Sequence, residues 1–395
     1  MEEYLFLRAS LQAHDSHKCL TYDVPSCVAI RDGEEVKILM MVNRLNIGGT
    51  ERHILSISRN LISRGVRVGI VARSGPLAYS FKRAGITRHL LKRNHFSLLS
   101  GIAKSGKYNL IHAHDSKSFY QSAVLSRKLK IPLVATVHGK YHHRASMIKA
   151  ARTAKRMITV SPGLTKWLVN HNIPVNKIRM LPNGIDLNTF KPSRKKNHWR
   201  KVLRLPTKAQ IILYAGRFSN DKYIAIRSLV LAAQRVSKSN RNLIVVLIGP
   251  GSRRSDLIQL AASVNRRLGR MAIVIRPPMT NIQQAYYAAD IVVGTGRVAL
   301  EAMACAKPVI AAGVAGYCGI VRPRNMSKMI HCHFGDHGAF SPITPDKLSR
   351  DIRIMLGNIK RGHYWGTYGA KTVKMRFSLN SIGIRLLRIY KEVIL

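Results

Sequence analysis

From Val36 onward the chain alternates short apolar runs with stretches long enough to form a helix. In the first half the runs fall at residues 38–42, 66–72, 110–114, 133–138, 157–160 and 178–181, and in the second half at 211–215, 243–248, 272–275, 291–293 and 309–312. Runs this short, rich in Val, Ile and Leu, read as strands, and strands alternating with helical stretches predict parallel sheets joined by crossover helices. Between the two series lies KPSRKKNHWRKVLR (191–204), which breaks the rhythm with seven basic residues and reads as a linker. The pattern therefore predicts an α/β chain of two parallel-sheet domains, 36–190 and 205–377, facing each other across a cleft. Residues 378–395 carry apolar positions at helical spacing, which predicts a terminal helix packing back across the lobes, whereas 1–35 hold no sustained period and read as an extension. In open parallel sheets ligands sit at the carboxyl ends of the strands, so the chemistry should fall there.

Composition narrows the classes. A chain of 395 residues with 46% hydrophobic content is large enough for two cores. No run approaches the roughly 20 apolar residues a spanning helix needs, and the opening MEEYLFLR is acidic where a secretory leader would be basic, so a cytoplasmic location is expected. Five cysteines (Cys19, Cys27, Cys305, Cys318, Cys332), odd in number and without CxxC spacing, suit neither a disulfide framework nor a zinc site. Charge is the unusual feature: 66 Lys and Arg against 18 Asp and Glu give +48. A field of that sign draws anions, and the candidate partners are nucleic acid, an anionic membrane surface and an anionic polymer; the bland alternative is a charge that only maintains solubility. Nucleic acid is disfavoured, because no zinc finger, RNA-recognition signature or basic-aromatic alternation is present and aromatics make up only 7%. Lys82, Arg83, Arg88, Lys92 and Arg93 mark the first lobe as the expected membrane contact, on an amphipathic helix or, equally, as a solvated face.

Three stretches carry candidate chemistry. The first strand runs into Asn46-Ile47-Gly48-Gly49-Thr50-Glu51 before a helical pattern, a turn where backbone N–H groups approach a ligand closely and the helix start favours anions. In the second half Gly216-Arg217 ends a strand and Lys222 follows five residues later. Such a pair suits a diphosphate, Arg forking onto oxygens while Lys acts as a point charge, and it would stabilise negative charge on a departing nucleotide. The strongest stretch is AADIVVGTGRVALEAMACAKPVIA (288–311), in which a strand meets Gly294-Thr295-Gly296 and then a helix whose one carboxylate is Glu301. A glutamate among small apolar residues needs a hydrogen-bonding task. Accepting from ribose hydroxyls is one, and pairing with a neighbouring arginine is the other. His138 ends a strand in the expected cleft, where a neutral imidazole can bond a sugar hydroxyl; for His112, His114, His142 and His143 a surface or packing role is expected.

These motifs, in this order from Val36 to the C-terminus, resemble the GT-B-fold glycosyltransferases of family 4, with Thr136-Val137-His138-Gly139, Pro182-Asn183-Gly184-Ile185-Asp186 and Gly249-Pro250-Gly251 adding to the likeness. The resemblance implies two Rossmann-like domains and a retaining, metal-independent transfer from a nucleotide-diphosphate sugar, with no cofactor. It places Arg217 and Lys222 on the donor diphosphate, Glu301 on the ribose, Gly294 to Gly296 near sugar and phosphates, and His138 beside the transferred sugar. Gly48, Gly49 and Gly216 would line the same site. Val293 and Tyr223 depart from the family pattern, which has a glutamate and a glycine there. The carboxylate that usually faces the donor sugar is thus absent, which leaves a catalytically silent relative binding anionic polymer or lipid as the rival reading. An enzyme would act on a cell-envelope, lipid-linked or polymeric acceptor, peripherally on the inner membrane face. A dinucleotide-dependent oxidoreductase is disfavoured because the first turn does not match GxGxxG, and a glycoside hydrolase because carboxylates are sparse around the cleft.

Overall fold

The computed structural model describes residues 35–92 and 96–394, so the proposed 1–35 extension, apart from Glu35, and Cys19, Cys27 and Arg93 lie outside the described residues. The first lobe is a seven-stranded sheet of β1 (Lys37–Arg44), β2 (Arg67–Arg73), β3 (Thr87–Leu90), β4 (Leu110–Ala113), β5 (Leu133–Val137), β6 (Arg156–Thr159) and β7 (Ile178–Met180), in the order β3-β2-β1-β4-β5-β6-β7. Every pairing in it is parallel. The second lobe holds β8 (Gln210–Ala215), β9 (Leu243–Ile248), β10 (Ile273–Arg276), β11 (Ile291–Gly294), β12 (Val309–Gly313) and β13 (Gly316–Ile320), in the order β10-β9-β8-β11-β12-β13. Here only the β12–β13 pairing is antiparallel.

Central strands are buried on both faces, which is why they read as unbroken apolar runs. In β1, Ile38, Leu39, Met40 and Met41 are all fully buried, odd and even positions feeding separate clusters on the two sides of the sheet. Each such side chain stabilises the fold by about 1.5–3 kcal/mol relative to exposure. Two strands lack that signature. β3 is Thr-Arg-His-Leu on the sheet edge, and β13 is Gly-Tyr-Cys-Gly-Ile. Both sheets reverse their strand order beside a single strand, at β1/β4 in the first lobe and β8/β11 in the second, and a crevice opens at such a switch point.

Two segments differ from the sequence reading. The basic stretch 191–204, read as a linker, contains the helix Lys196–Val202, docked on the second lobe. Arg200 is buried, donating from Nε to the Ala288 carbonyl (3.0 Å), from Nη1 to those of Thr207 (2.6 Å) and Ala209 (2.8 Å), and pairing with Asp290 at 2.6 Å. A fork of five donors can satisfy that many acceptors, and the desolvated charge is thereby compensated. The Lys82–Lys92 region, expected to include an amphipathic helix, forms only a six-residue helix, Ala78–Arg83, and then β3, where Arg88 donates to the Ala78 carbonyl. Among the described residues no helix is long and apolar enough to cross a membrane.

The C-terminal helix, Leu379–Ile394, crosses back to the first lobe. Its Ile382, Leu386, Leu387, Tyr390 and Val393 join Ile54, Ile57 and Leu61 in one apolar cluster, and a backbone bridge between Ile185 and Ser378 fixes where the chain returns.

Candidate active site

The two switch points face each other. After β1, Gly48 caps the helix Gly49–Ile62 in extended conformation, and Glu51 folds back so closely that any side chain at Gly48 would strike its carboxylate. Nothing lies within 4 Å of where a Cβ at Gly49 would stand, so this turn is open. Burial raises the Glu51 carboxyl above its ordinary range, opposed by its own backbone amide and by Arg217 reaching from the other lobe. Tyr141, whose hydroxyl faces Thr50, also lies within the fields of Asp336 and Arg217. Lys222 stands in the first turn of the helix Asn220–Ser237, half-buried, with its charge acting on Asp336. Burial raises the Asp336 carboxyl, but Lys222, His333, His337 and the Thr295 hydroxyl together hold it below the ordinary carboxylate range. Among the described residues the side chains of Arg217 and Lys222 have no hydrogen-bond or salt-bridge partner, and they act at longer range on Glu51 and Asp336 respectively.

Glycine makes this geometry possible at two places. A side chain at Gly249 would collide with the Gly216 carbonyl, so the Gly249-Pro250-Gly251 turn can lie against the end of β8, where the Phe218 amide donates to Pro250 (2.7 Å). Gly296 has φ +51°, a left-handed conformation, and a Cβ there would come within 2.9 Å of Asp336 Oδ2 and 3.3 Å of His333 Cε1. Gly294 ends β11 and Thr295 precedes the helix Gly296–Ala304, its hydroxyl donating to Asp336 Oδ1 at 3.3 Å.

Glu301 has a different neighbourhood. Its Oε1 accepts from Arg297 Nε at 2.7 Å and its Oε2 from the Tyr286 hydroxyl at 3.0 Å, and Arg297 donates onward to the Gly184 carbonyl of the first lobe at 3.3 Å. The arginine pairing left open by the sequence is therefore present. The structure brings Gly216-Arg217 toward Glu51 and the Gly48-Gly49 turn, and among the described residues no hydrogen bond or salt bridge joins Glu301 to Arg217 or Lys222. Val293 is buried in β11 within an apolar cluster that includes Tyr214 and Ala312. Asp336 is the acid the sequence reading missed; its side chain keeps 30% of its surface exposed between the buried rings of His333 and His337. The signal was a lone aspartate in His-Phe-Gly-Asp-His-Gly within a chain poor in acids.

Buried imidazoles cluster at the ends of β4 and β5. His138 follows β5, with its Nε2 3.2 Å from His114 Nδ1 and its own Nδ1 without a partner among the described residues. Its backbone N–H donates to His142 Nε2, and its carbonyl accepts from His337 Nε2 at 3.1 Å, while His337 Nδ1 meets the Ser161 hydroxyl at 2.7 Å. These last contacts clasp the lobes together. Burial, the largest influence, keeps the rings neutral: it lowers His53, His112 and His333 to about 3 and His142 to about 4, and holds His114 and His138 well below the ordinary value. His333, Asp336 and His337 present donor atoms within 4.8 Å of one another. With both nitrogens of His337 engaged, two donors remain free, against the three or four of a zinc site.

Comparison with known proteins agrees with this architecture. Residues 47–189 match the model of Glycosyltransferase Family 4, and residues 195–372 that of Glycosyl transferases group 1. A D-inositol 3-phosphate glycosyltransferase of Thermobispora bispora is 26% identical, over 88% of this chain and 90% of that protein. The crystal structure of Anabaena HepE in complex with UDP and glucose superposes with a TM-score of 0.76 at 20% identity, covering 91% of this chain and all of the other. WaaG, a glycosyltransferase involved in lipopolysaccharide biosynthesis, superposes with a TM-score of 0.66 at 15% identity, covering 89% of this chain and 99% of its own. Two facing parallel-sheet domains of the GT-B type, matched by family models from residue 47 to residue 372 with one short break, make this chain a glycosyltransferase of family 4.

Proposed function

We propose that the chain moves a sugar from a nucleotide-diphosphate donor, with retention and without a metal, to an anionic cell-envelope acceptor that is lipid-linked or polymeric. The observation that carries this reading is the pair of cations Arg217 and Lys222, whose side chains make no hydrogen bond or salt bridge among the described residues, at the β8 switch point opposite the Gly48-Gly49 turn. Cations left free in a crevice suit a ligand that brings its own negative charge. The Anabaena HepE complex holds UDP and glucose, which favours a uridine donor here as well.

In the proposed reaction the bond from the sugar's anomeric carbon to the diphosphate oxygen breaks while the acceptor oxygen bonds to that carbon from the same face. The departing phosphate takes the acceptor's proton, so no protein nucleophile is required. Arg217 and Lys222 stabilise the charge that develops on that phosphate. Gly216 and Gly294 to Gly296 surround the phosphates, Glu301 accepts from the ribose with the lone pairs that Arg297 and Tyr286 leave, and His138 bonds the sugar. An acceptor of negative charge is favoured by an interlobe cavity of about 360 Å³ beside His337, lined by Lys140, Lys166, Lys328 and His331. WaaG's place in lipopolysaccharide biosynthesis supports an envelope product, and +48 supports peripheral attachment to the inner leaflet.

A thermal-shift panel of UDP-, GDP- and ADP-sugars tests the donor class, since a ligand bound only by the native state raises the melting temperature. No response to any of the three would sink the donor assignment. Co-sedimentation with anionic vesicles at low salt tests the attachment, and indifference to vesicle charge would count against it. The rival, a silent relative that binds anions, is kept in view by Val293; donor hydrolysis or transfer by the purified chain excludes it.

A further inference from the structure

We propose that His114 is a positioning residue that fixes His138 as a single tautomer, with the unpartnered Nδ1 of His138 presented as a bare acceptor for a hydroxyl hydrogen of the sugar or its acceptor. The inference rests on the sugar-transfer reading for its ligand, though not for its tautomer.

The chain of reasoning starts in the core at Met40 of β1. Its thioether sulfur carries no hydrogen and can only accept. His114 Nε2 lies 3.4 Å from that sulfur, so a hydrogen on Nε2 makes a weak bond, whereas a bare nitrogen would set lone pair against lone pair. A neutral imidazole has one N–H, so His114 Nδ1 is bare. That nitrogen lies 3.2 Å from His138 Nε2, and the contact becomes a hydrogen bond only if His138 donates. His138 Nδ1 is consequently left without hydrogen.

The surroundings close off the alternatives. Both rings are buried, at 0% and 6% exposure for His114 and His138, and the imidazoles of His112, His53 and His142 stand against them. A second proton would put charge into a desolvated cluster of rings, so neither is an imidazolium. His142 is fixed as well: it accepts the His138 backbone N–H at Nε2, and its Nδ1 faces the Ser116 hydroxyl. Every polar atom of His138 is thus engaged except Nδ1. The His53 ring, 5.3 Å away and edge-on, has its own Nδ1 unpartnered. A buried acceptor without a donor costs about 1–3 kcal/mol, a cost that a ligand hydroxyl would remove. The sequence reading treated His114 as packing; the structure gives that packing a direction, from the Met40 sulfur through two rings to the unpartnered Nδ1 of His138.

The test is two-bond ¹H–¹⁵N correlation spectroscopy on full-length protein labelled at histidine, with His138 assigned by comparison with His138→Asn. Nδ1 of His138 is expected to appear as a bare nitrogen and Nε2 as a protonated one. The opposite pattern overturns the proposal whether or not the protein transfers sugar. A correct tautomer without any transfer would instead sink the transfer reading and leave His114's role standing. Met40→Leu, which keeps the volume and removes the sulfur acceptor, should bring the second tautomer into view without unfolding the chain. In a transfer assay His114→Leu should lower kcat by roughly 10²-fold, the scale of a misplaced proton-handling group, with donor KM little changed. His114→Asn, whose Oδ1 can replace the bare Nδ1, should restore most of it. Equal losses in the two variants, alongside an unchanged His138 spectrum, would leave His114 a packing residue.

Discussion

The two switch points of this molecule are built alike and equipped in opposite ways. The first lobe meets the crevice with neutral rings, His53, His138 and His142, over a second tier of His112 and His114, all of which burial keeps uncharged. In the second lobe the same place bears Arg217 and Lys222, whose side chains make no salt bridge among the described residues, whereas Glu301 with Arg297 and Asp290 with Arg200 are paired in the framework. Desolvated neutral groups discriminate hydroxyl patterns, because each mismatch strands a polar atom, whereas free cations recognise charge. One crevice can therefore hold the uncharged and the anionic ends of a single ligand in separate halves.

The most disruptive way to break this contrast is to free a charge that the second lobe has neutralised. Arg297→Ala would leave Glu301 buried against Tyr286 alone, and loss of one partner from such a pair costs about 3–5 kcal/mol. Chemical denaturation should show that loss, with Arg297→Met/Glu301→Gln recovering most of it; a double variant as weak as the single one would deny the pairing its role. Removing the free cations acts on ligand rather than fold. Lys222→Ala should reduce transfer by roughly 10²–10³-fold, comparable to losing one preorganised donor to a developing anion, and should weaken the thermal response to nucleotide sugar far more than that to bare nucleoside. Equal losses for both ligands would contradict a diphosphate contact.

The neutral half can be probed with acid. Unfolded histidine titrates near 6.5, whereas His53, His112 and His333 are lowered to about 3 in the fold, so the unfolded chain binds more protons between those values. Stability should be full above pH 6.5 and fall as pH drops toward 3, by about 1.4 kcal/mol per pH unit for each ring that stays neutral. Melting temperatures that hold level from pH 7 to pH 5 would show the rings to be charged or exposed. The smallest effect is expected at Tyr223, whose ring lies 5.2 Å under the Arg253 guanidinium; Tyr223→Gly, toward the family pattern, should cost the cation–π contact of about 0.5–1 kcal/mol plus a similar helix penalty, with donor response retained.

How far the molecule could be read in advance follows from burial. Strands covered on both faces declared themselves as apolar runs, and Gly216-Arg217 with Lys222 declared itself by standing at the end of one. β3 and β13 did not, because an edge strand with one leucine and a strand with glycine at two of its five positions carry little hydrophobic signal. The helix Lys196–Val202 was hidden by its charges: Arg200 is buried through hydrogen bonds to carbonyls far along the chain, which composition cannot foresee. Glu301 was legible as a glutamate needing a partner, and the four-residue step from Arg297 held the answer on one helix face. Asp336 was not, since its place beside Gly296 arises from a loop whose Phe334 adopts φ +55°.

The return of the helix Leu379–Ile394 to the first lobe has a consequence for biosynthesis. Ile54 and Leu61, translated early, share their apolar cluster with Leu386 and Tyr390, which emerge last. The first lobe is then left partly uncovered until the second lobe has been made, whereas a leading domain is usually finished first. Ribosome-bound chains ending at residue 377 should accordingly be cut by protease within Gly49–Ile62, and full-length released chains should resist; protection already present in the stalled chain would show that the early half closes on its own.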